Sequence, residues 1–372
     1  EKRELRRKRR RRNQILAILT LLLFVCLIVA IIGTGVWYIM HRGAGKTAGG
    51  GAATTEETTI DNLFESEDEI VKPEDTNTEP ALTPEQQLDA LLDEAFISQM
   101  PLEDKVAGLF IVTPESITGV NKAVKAGDGT KDALNKYAVG GIVYASQNMQ
   151  DAAQFTEMVS NTTLYSRYAL FTCVAEEGGS STSLEKAGLA DKTDSEQAMG
   201  TGADAAKAYE ASGKIADSML TYGLNLNFAP VADLATVQDS YLKDASYGSD
   251  AALAASFVTS AVQGMQEKGI SSCLKYFPGA ADMKEDPAKG MASSERTAEQ
   301  LAAEEFTVFK AGIDAGADMV MVGHVAVPAL TGDNTPCSLS SAVITDKLRN
   351  ELGFNGVIIT DAMNKGAITE YY

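Results

Sequence analysis

Apolar positions fall into two regimes along this chain. Residues 15–40, from Ile15-Leu16-Ala17-Ile18 to Trp37-Tyr38-Ile39-Met40, are apolar and carry no charge. A run of that length crosses a hydrocarbon core of about 30 Å, and it is too long for the apolar region of a cleaved leader, so the pattern predicts one transmembrane helix. From residue 85 onward short apolar runs alternate with longer stretches of helical period. The runs predict strands at 108–113, 140–145, 169–174, 224–231, 272–277, 318–323 and 356–360. The stretches predict helices near 85–98, 130–137, 150–163, 197–221, 251–268, 297–315 and 341–352. Single-pass apolar strands alternating with helices are the signature of a parallel α/β architecture, and seven such units predict a TIM-type (β/α)8 barrel over residues 85–372 whose eighth unit falls beyond Tyr372. A doubly wound sheet with a dinucleotide is disfavoured, because no G-x-G-x-x-G follows any of these strands.

Charge places the barrel relative to the membrane. Residues 1–14 hold nine Lys/Arg against Glu1 and Glu4, a tail of +7 in a chain whose net charge is −19. Basic residues crowd the N-terminal side of the span, with Arg42 and Lys46 after it, which predicts a cytoplasmic tail, a single-pass anchor in the cell membrane and an extracellular barrel. The acidic balance of the remainder argues against nucleic-acid binding. Residues 41–84 are rich in Gly, Thr and acids with Pro73, Pro80 and Pro84, and read as an extended linker. Gly45-Lys46-Thr47 within it is a poor phosphate loop, since no strand precedes it. The four cysteines are widely spaced and form no C-x-x-C; neither a metal site nor a cofactor site is indicated.

Chemistry in a parallel barrel collects at the C-terminal ends of the strands. Here those ends carry Ser146-Gln147-Asn148, Glu176-Glu177-Gly178-Gly179, Asp233, Lys275, His324 and Asp361. Carboxylates, a lysine and an imidazole around one mouth suit a polar ligand such as a sugar. Each has a plainer alternative: Asp361 as the N-cap of a following helix, the others as caps or turn residues, and His324 as a satisfied structural histidine.

The blocks Lys275-Tyr276-Phe277-Pro278-Gly279, Gly316–His324 and Leu348–Met363 resemble the barrel domain of glycoside hydrolase family three, in particular its β-N-acetylhexosaminidase branch. Weaker matches at 140–145, Glu177-Gly178-Gly179 and Leu226–Asp233 follow in the order of that family. The resemblance implies a retaining glycosidase acting on a glycan, with Asp361 as nucleophile and Lys275 and His324 holding sugar hydroxyls. It also exposes departures. The family's Lys-His-Phe-Pro-Gly-His has Tyr276 and Ala280 in place of its histidines, and the Asp-Ser-His of the next loop, whose His is the acid/base, becomes Asp286-Pro287-Ala288. Two arginines of the family motifs are Ser180 and Ala245 here. The resemblance therefore implies a degenerate enzyme, unless Glu285 or Asp286 replaces the lost acid; the alternative is a non-catalytic barrel that binds a glycan or a protein at the cell envelope.

Overall fold

The computed structural model describes residues 84–372 other than Ser181. The tail, the span and nearly all of the linker expected over 1–84 lie outside the described residues.

Seven parallel strands pair in chain order: β1 Ile111–Val112, β2 Gly141–Val143, β3 Phe171–Val174, β4 Leu226–Asn227, β5 Ser271–Phe277, β6 Met319–Val322 and β7 Val357–Thr360. Helices return the chain between them, chiefly α1 Asp128–Lys136, α2 Ala152–Tyr165, α3 Ala206–Thr221, α4 Ala251–Gln266 and α5 Glu305–Asp314. The sheet is curled, with β1 and β7 as its two edges. Both edges are only partly covered, and Val357 is 48% exposed. Beside β1 an open apolar recess of about 620 Å3 is lined by Leu102, Val106, Phe110, Val112, Ile117 and Val139.

Strand alternation sorts the core into two layers. Cys173, Leu226, Phe228, Cys273, Met319 and Met321 form an inner cluster, joined by Ile111, Val143, Phe171 and Ile359. Their sequence neighbours Val174, Leu274, Val320, Val322 and Ile358 pack outward with the helices. Period-two counting from these inner positions leads to Lys275 from Cys273 within β5 and to Asp361 from Ile359 just past β7, so both fall on the inward parity.

Two predicted helices are interrupted. The 197–221 stretch breaks after Thr201, with Ala203 at φ 51°, and a Cβ on Gly200 would come within 2.0 Å of the Tyr247 carbonyl oxygen. That close approach ties the break to the loop after β4. The 297–315 stretch breaks at Glu304, where the Arg296 guanidinium draws in the carboxylates of Glu304 at 2.6 Å and Glu305 at 3.0 Å.

Candidate active site

The floor of the mouth is a buried ion pair. Lys275 at the end of β5, 2% exposed, meets the Glu177 carboxylate that follows β3. Glu177 can turn inward because Gly178 follows it at φ 86°, where a Cβ would come within 2.2 Å of the Asp194 carbonyl oxygen. Burial alone would lower the Lys275 pKa; Glu177 and then Tyr276 outweigh it, and the ammonium is held above the ordinary lysine value. The same ammonium lies 5.4 Å from the centre of the Tyr276 ring.

Asp361 stands just past the end of β7. Its Oδ2 accepts from Lys365 Nζ at 2.6 Å and its Oδ1 from the Ala362 amide at 2.7 Å. Lys365 in turn lies 5.7 Å from the centre of the Tyr276 ring, so one ring is approached by two ammonium groups. The capping alternative for Asp361 fails: the short helix Gly366–Thr369 starts after Lys365, and the Asp361 side chain caps nothing in it.

His324 is 1% exposed and its two nitrogens are both engaged within the protein, Nδ1 with Ser338 Oγ at 2.7 Å and Nε2 with the Ala362 carbonyl at 3.1 Å. A carbonyl only accepts, so Nε2 carries the proton and Nδ1 accepts from the serine hydroxyl. Burial lowers the pKa of the ring and keeps it neutral at pH 7. His324 is therefore a strut holding the residue next to Asp361, and neither nitrogen is left for a sugar hydroxyl. Asn148 is likewise consumed structurally, donating to Glu115 at 2.7 Å and to the Ala123 carbonyl at 2.9 Å.

A loop from Gly279 to Arg296 closes one side. It is fastened by Asp282 to Ser294 at 2.6 Å, by Lys284 to Asp239 at 3.0 Å, and by the Pro287 and Ala288 carbonyls, which accept from Ala367 and Gly366 at 3.1 Å each. At its root Asp233 accepts from the amides of Tyr276 and Ala280, both at 3.1 Å. Within the loop Glu285 is exposed, whereas Asp286 is half-buried, accepts from the Ala288 amide at 2.9 Å and lies 3.7 Å from Lys289 Nζ. Burial raises the Tyr241 phenol pKa most, followed by the negative charge of Asp233.

Several carboxyls behind the mouth are held by burial in the protonated direction. Glu196 and Asp233 lie well above the usual range, and Glu176 and Glu305 are each pushed up to about 7. Glu176 accepts from Ser183 at 2.6 Å and Leu184 at 2.8 Å through one oxygen, a pattern that a glutamine carbonyl can reproduce. Between about pH 4.5 and 7 the folded state holds this proton more tightly than the unfolded chain, so the group costs stability as pH rises through that window. Glu176→Gln is expected to stabilise the fold by up to about 3 kcal/mol at pH 8 and by little at pH 4, in urea unfolding. An equal gain at both pH values would contradict this.

Residues 101–372 match the family described as "Glycosyl hydrolase family 3 N terminal domain". The chain belongs to this family. β-Hexosaminidases are among its relatives: that of Xanthomonas campestris pv. campestris is 32% identical over 247 residues, which make up 64% of this chain and 72% of the relative. That of Stenotrophomonas maltophilia is 31% identical over 247 residues, 64% of this chain and 71% of the relative. Among solved structures, the family 3 β-N-acetylglucosaminidase from Paenibacillus sp. aligns with a TM-score of 0.69 at 31% identity over 73% of this chain. The chain spans 51% of that structure's length.

Set on this family 3 barrel, the sequence-predicted residues divide clearly. Lys275 and Lys365, the latter hydrogen-bonded to Asp361, both lie beside the Tyr276 ring, and His324 is hydrogen-bonded to the carbonyl of Ala362, the residue after Asp361. Asp286 is hydrogen-bonded to its own loop and Glu285 is exposed. Lys365 and the pairing role of Glu177 were missed by sequence reasoning. For Lys365 a signal existed, an acid and a base at i,i+4 across a strand end.

Proposed function

We propose that this family 3 barrel is a membrane-anchored β-N-acetylhexosaminidase-like domain that engages amino-sugar glycans outside the cell, with Asp361 as the nucleophile of a retaining mechanism. The anchor is residues 15–40 and the tail before it is cytoplasmic, on the strength of their charge and hydropathy pattern. The observation that supports the reading is Asp361 just past β7, on the inward parity, hydrogen-bonded to Lys365, whose ammonium approaches the same Tyr276 ring as that of Lys275. From there its carboxylate would attack the anomeric carbon, and water would later release the sugar from the ester. Lys275, fixed by Glu177, keeps a positive charge at the floor where sugar hydroxyls would sit.

Turnover is slow in this proposal. The position where the family carries its proton donor is Ala288, and Asp286, the nearest carboxylate on the loop, is turned to its own backbone and to Lys289. The same observation favours a second reading, a glycan- or protein-binding barrel without catalysis. Release of a chromogenic phenol from an N-acetylglucosaminide separates the two. The hydrolase reading predicts a slow rate in the wild type that Asp361→Ala removes by 10²-fold or more; equal rates in both would leave the binding reading.

A further inference from the structure

Lys365 is a poor residue for the position it occupies. It is the N-cap of Gly366–Thr369 and offers no acceptor to that helix, where Ser, Thr, Asp or Asn would. The acceptors come instead from the loop, as the carbonyls of Ala288 and Pro287. The lysine side chain turns back, 29% exposed, to the 12% exposed Asp361 carboxylate. Local rules broken in this way are expected where a residue serves a site.

We propose that Lys365 is a positioning residue for Asp361: its ammonium holds Oδ2 and so sets the rotation of the carboxylate, and its backbone, fastened through the next two residues to Pro287 and Ala288, ties that rotation to the β5 loop. The inference rests on the reading of Asp361 as nucleophile. A carboxylate at a strand end is free to turn about two side-chain bonds, and attack on a sugar carbon tolerates little misplacement; about 1 Å costs on the order of 10²-fold. His324, hydrogen-bonded to the Ala362 carbonyl, steadies the backbone from behind, and that carbonyl also accepts from the Lys365 amide at 3.1 Å. On the side chain itself the Ala362 amide holds Oδ1 at 2.7 Å, and Lys365 supplies the second constraint, on Oδ2.

The test uses the full chain and 5-fluoro-N-acetylglucosaminyl fluoride. Asp361 forms a bond to the anomeric carbon, the carbon–fluorine bond there breaks, and fluoride leaves with the electron pair, needing no proton donor. The 5-fluoro group slows hydrolysis of the ester, so intact-mass spectrometry follows its formation. Lys365→Met is expected to lower the limiting labelling rate about ten- to a hundredfold while the half-saturating probe concentration stays the same, and Lys365→Arg is expected to keep most of the wild-type rate. Wild-type rates in Lys365→Met, or an arginine variant as slow as methionine, would overturn the proposal. If the wild type takes no label, the nucleophile reading fails, and the clamp is decided by carbodiimide coupling of glycine ethyl ester to Asp361, read by peptide mapping. Faster coupling in Lys365→Met than in the wild type upholds the clamp; equal coupling overturns it.

Discussion

Ala288→His is expected to raise the turnover of an N-acetylglucosaminide with an unactivated leaving group by 10²-fold or more, because a positioned acid/base contributes 10²–10⁴-fold. The backbone at 288 is already docked, with its carbonyl on Gly366 and its amide on the Asp286 carboxylate. Ala288 is half-buried rather than packed in the core. Asp286, two residues earlier, is the partner that would orient the imidazole. The gain belongs to kcat on poor leaving groups and largely disappears with a dinitrophenyl glycoside, which departs without a proton. Adding Asp361→Ala to the histidine variant should return the rate to background. A histidine variant no faster than wild type, in a fold shown intact by circular dichroism, would contradict the assignment of Ala288 to the donor position.

The second large effect is on stability. Glu177→Ala leaves the Lys275 ammonium buried without its carboxylate, and breaking a buried pair by removing one partner costs about 3–5 kcal/mol. Lys275→Met together with Glu177→Leu removes both charges and is expected to recover most of that loss, while abolishing sugar affinity. Urea unfolding of the two variants beside the wild type checks this. A single Glu177→Ala variant within about 1 kcal/mol of wild type would mean that water reaches Lys275 and that the floor of the mouth is not closed.

The strands were readable because burial on both sides forces continuous apolar runs: Met319–Val322 and Phe171–Val174 lie where those runs predict. The reading failed where a contact distant in sequence decides the backbone. β4 spans Leu226–Asn227 rather than reaching Val231, although the segment after it still runs beside β5, with the Cys273 and Lys275 amides donating to the Ala229 and Pro230 carbonyls; Pro230 has no amide to give the ladder, and the Val231 amide donates to Glu196 instead. The helix broken at Glu304 has an unbroken helical pattern, and the Arg296 guanidinium beside the break is not visible locally; the break after Thr201 has a local signal in Gly202 and Asp204. The site shows the same division. Asp361 and Lys275 follow from strand parity. The use of Glu177 and the occupation of both His324 nitrogens depend on loops meeting across the barrel mouth, and no local pattern encodes that meeting.

The central claim is that Asp361 forms a bond to the sugar. Peptide mapping of the chain after reaction with 5-fluoro-N-acetylglucosaminyl fluoride tests it most directly. The account predicts one glycosylated peptide, carrying the sugar as an ester on Asp361. An unlabelled chain, or a label on Glu177, Asp233 or Asp286, would contradict it.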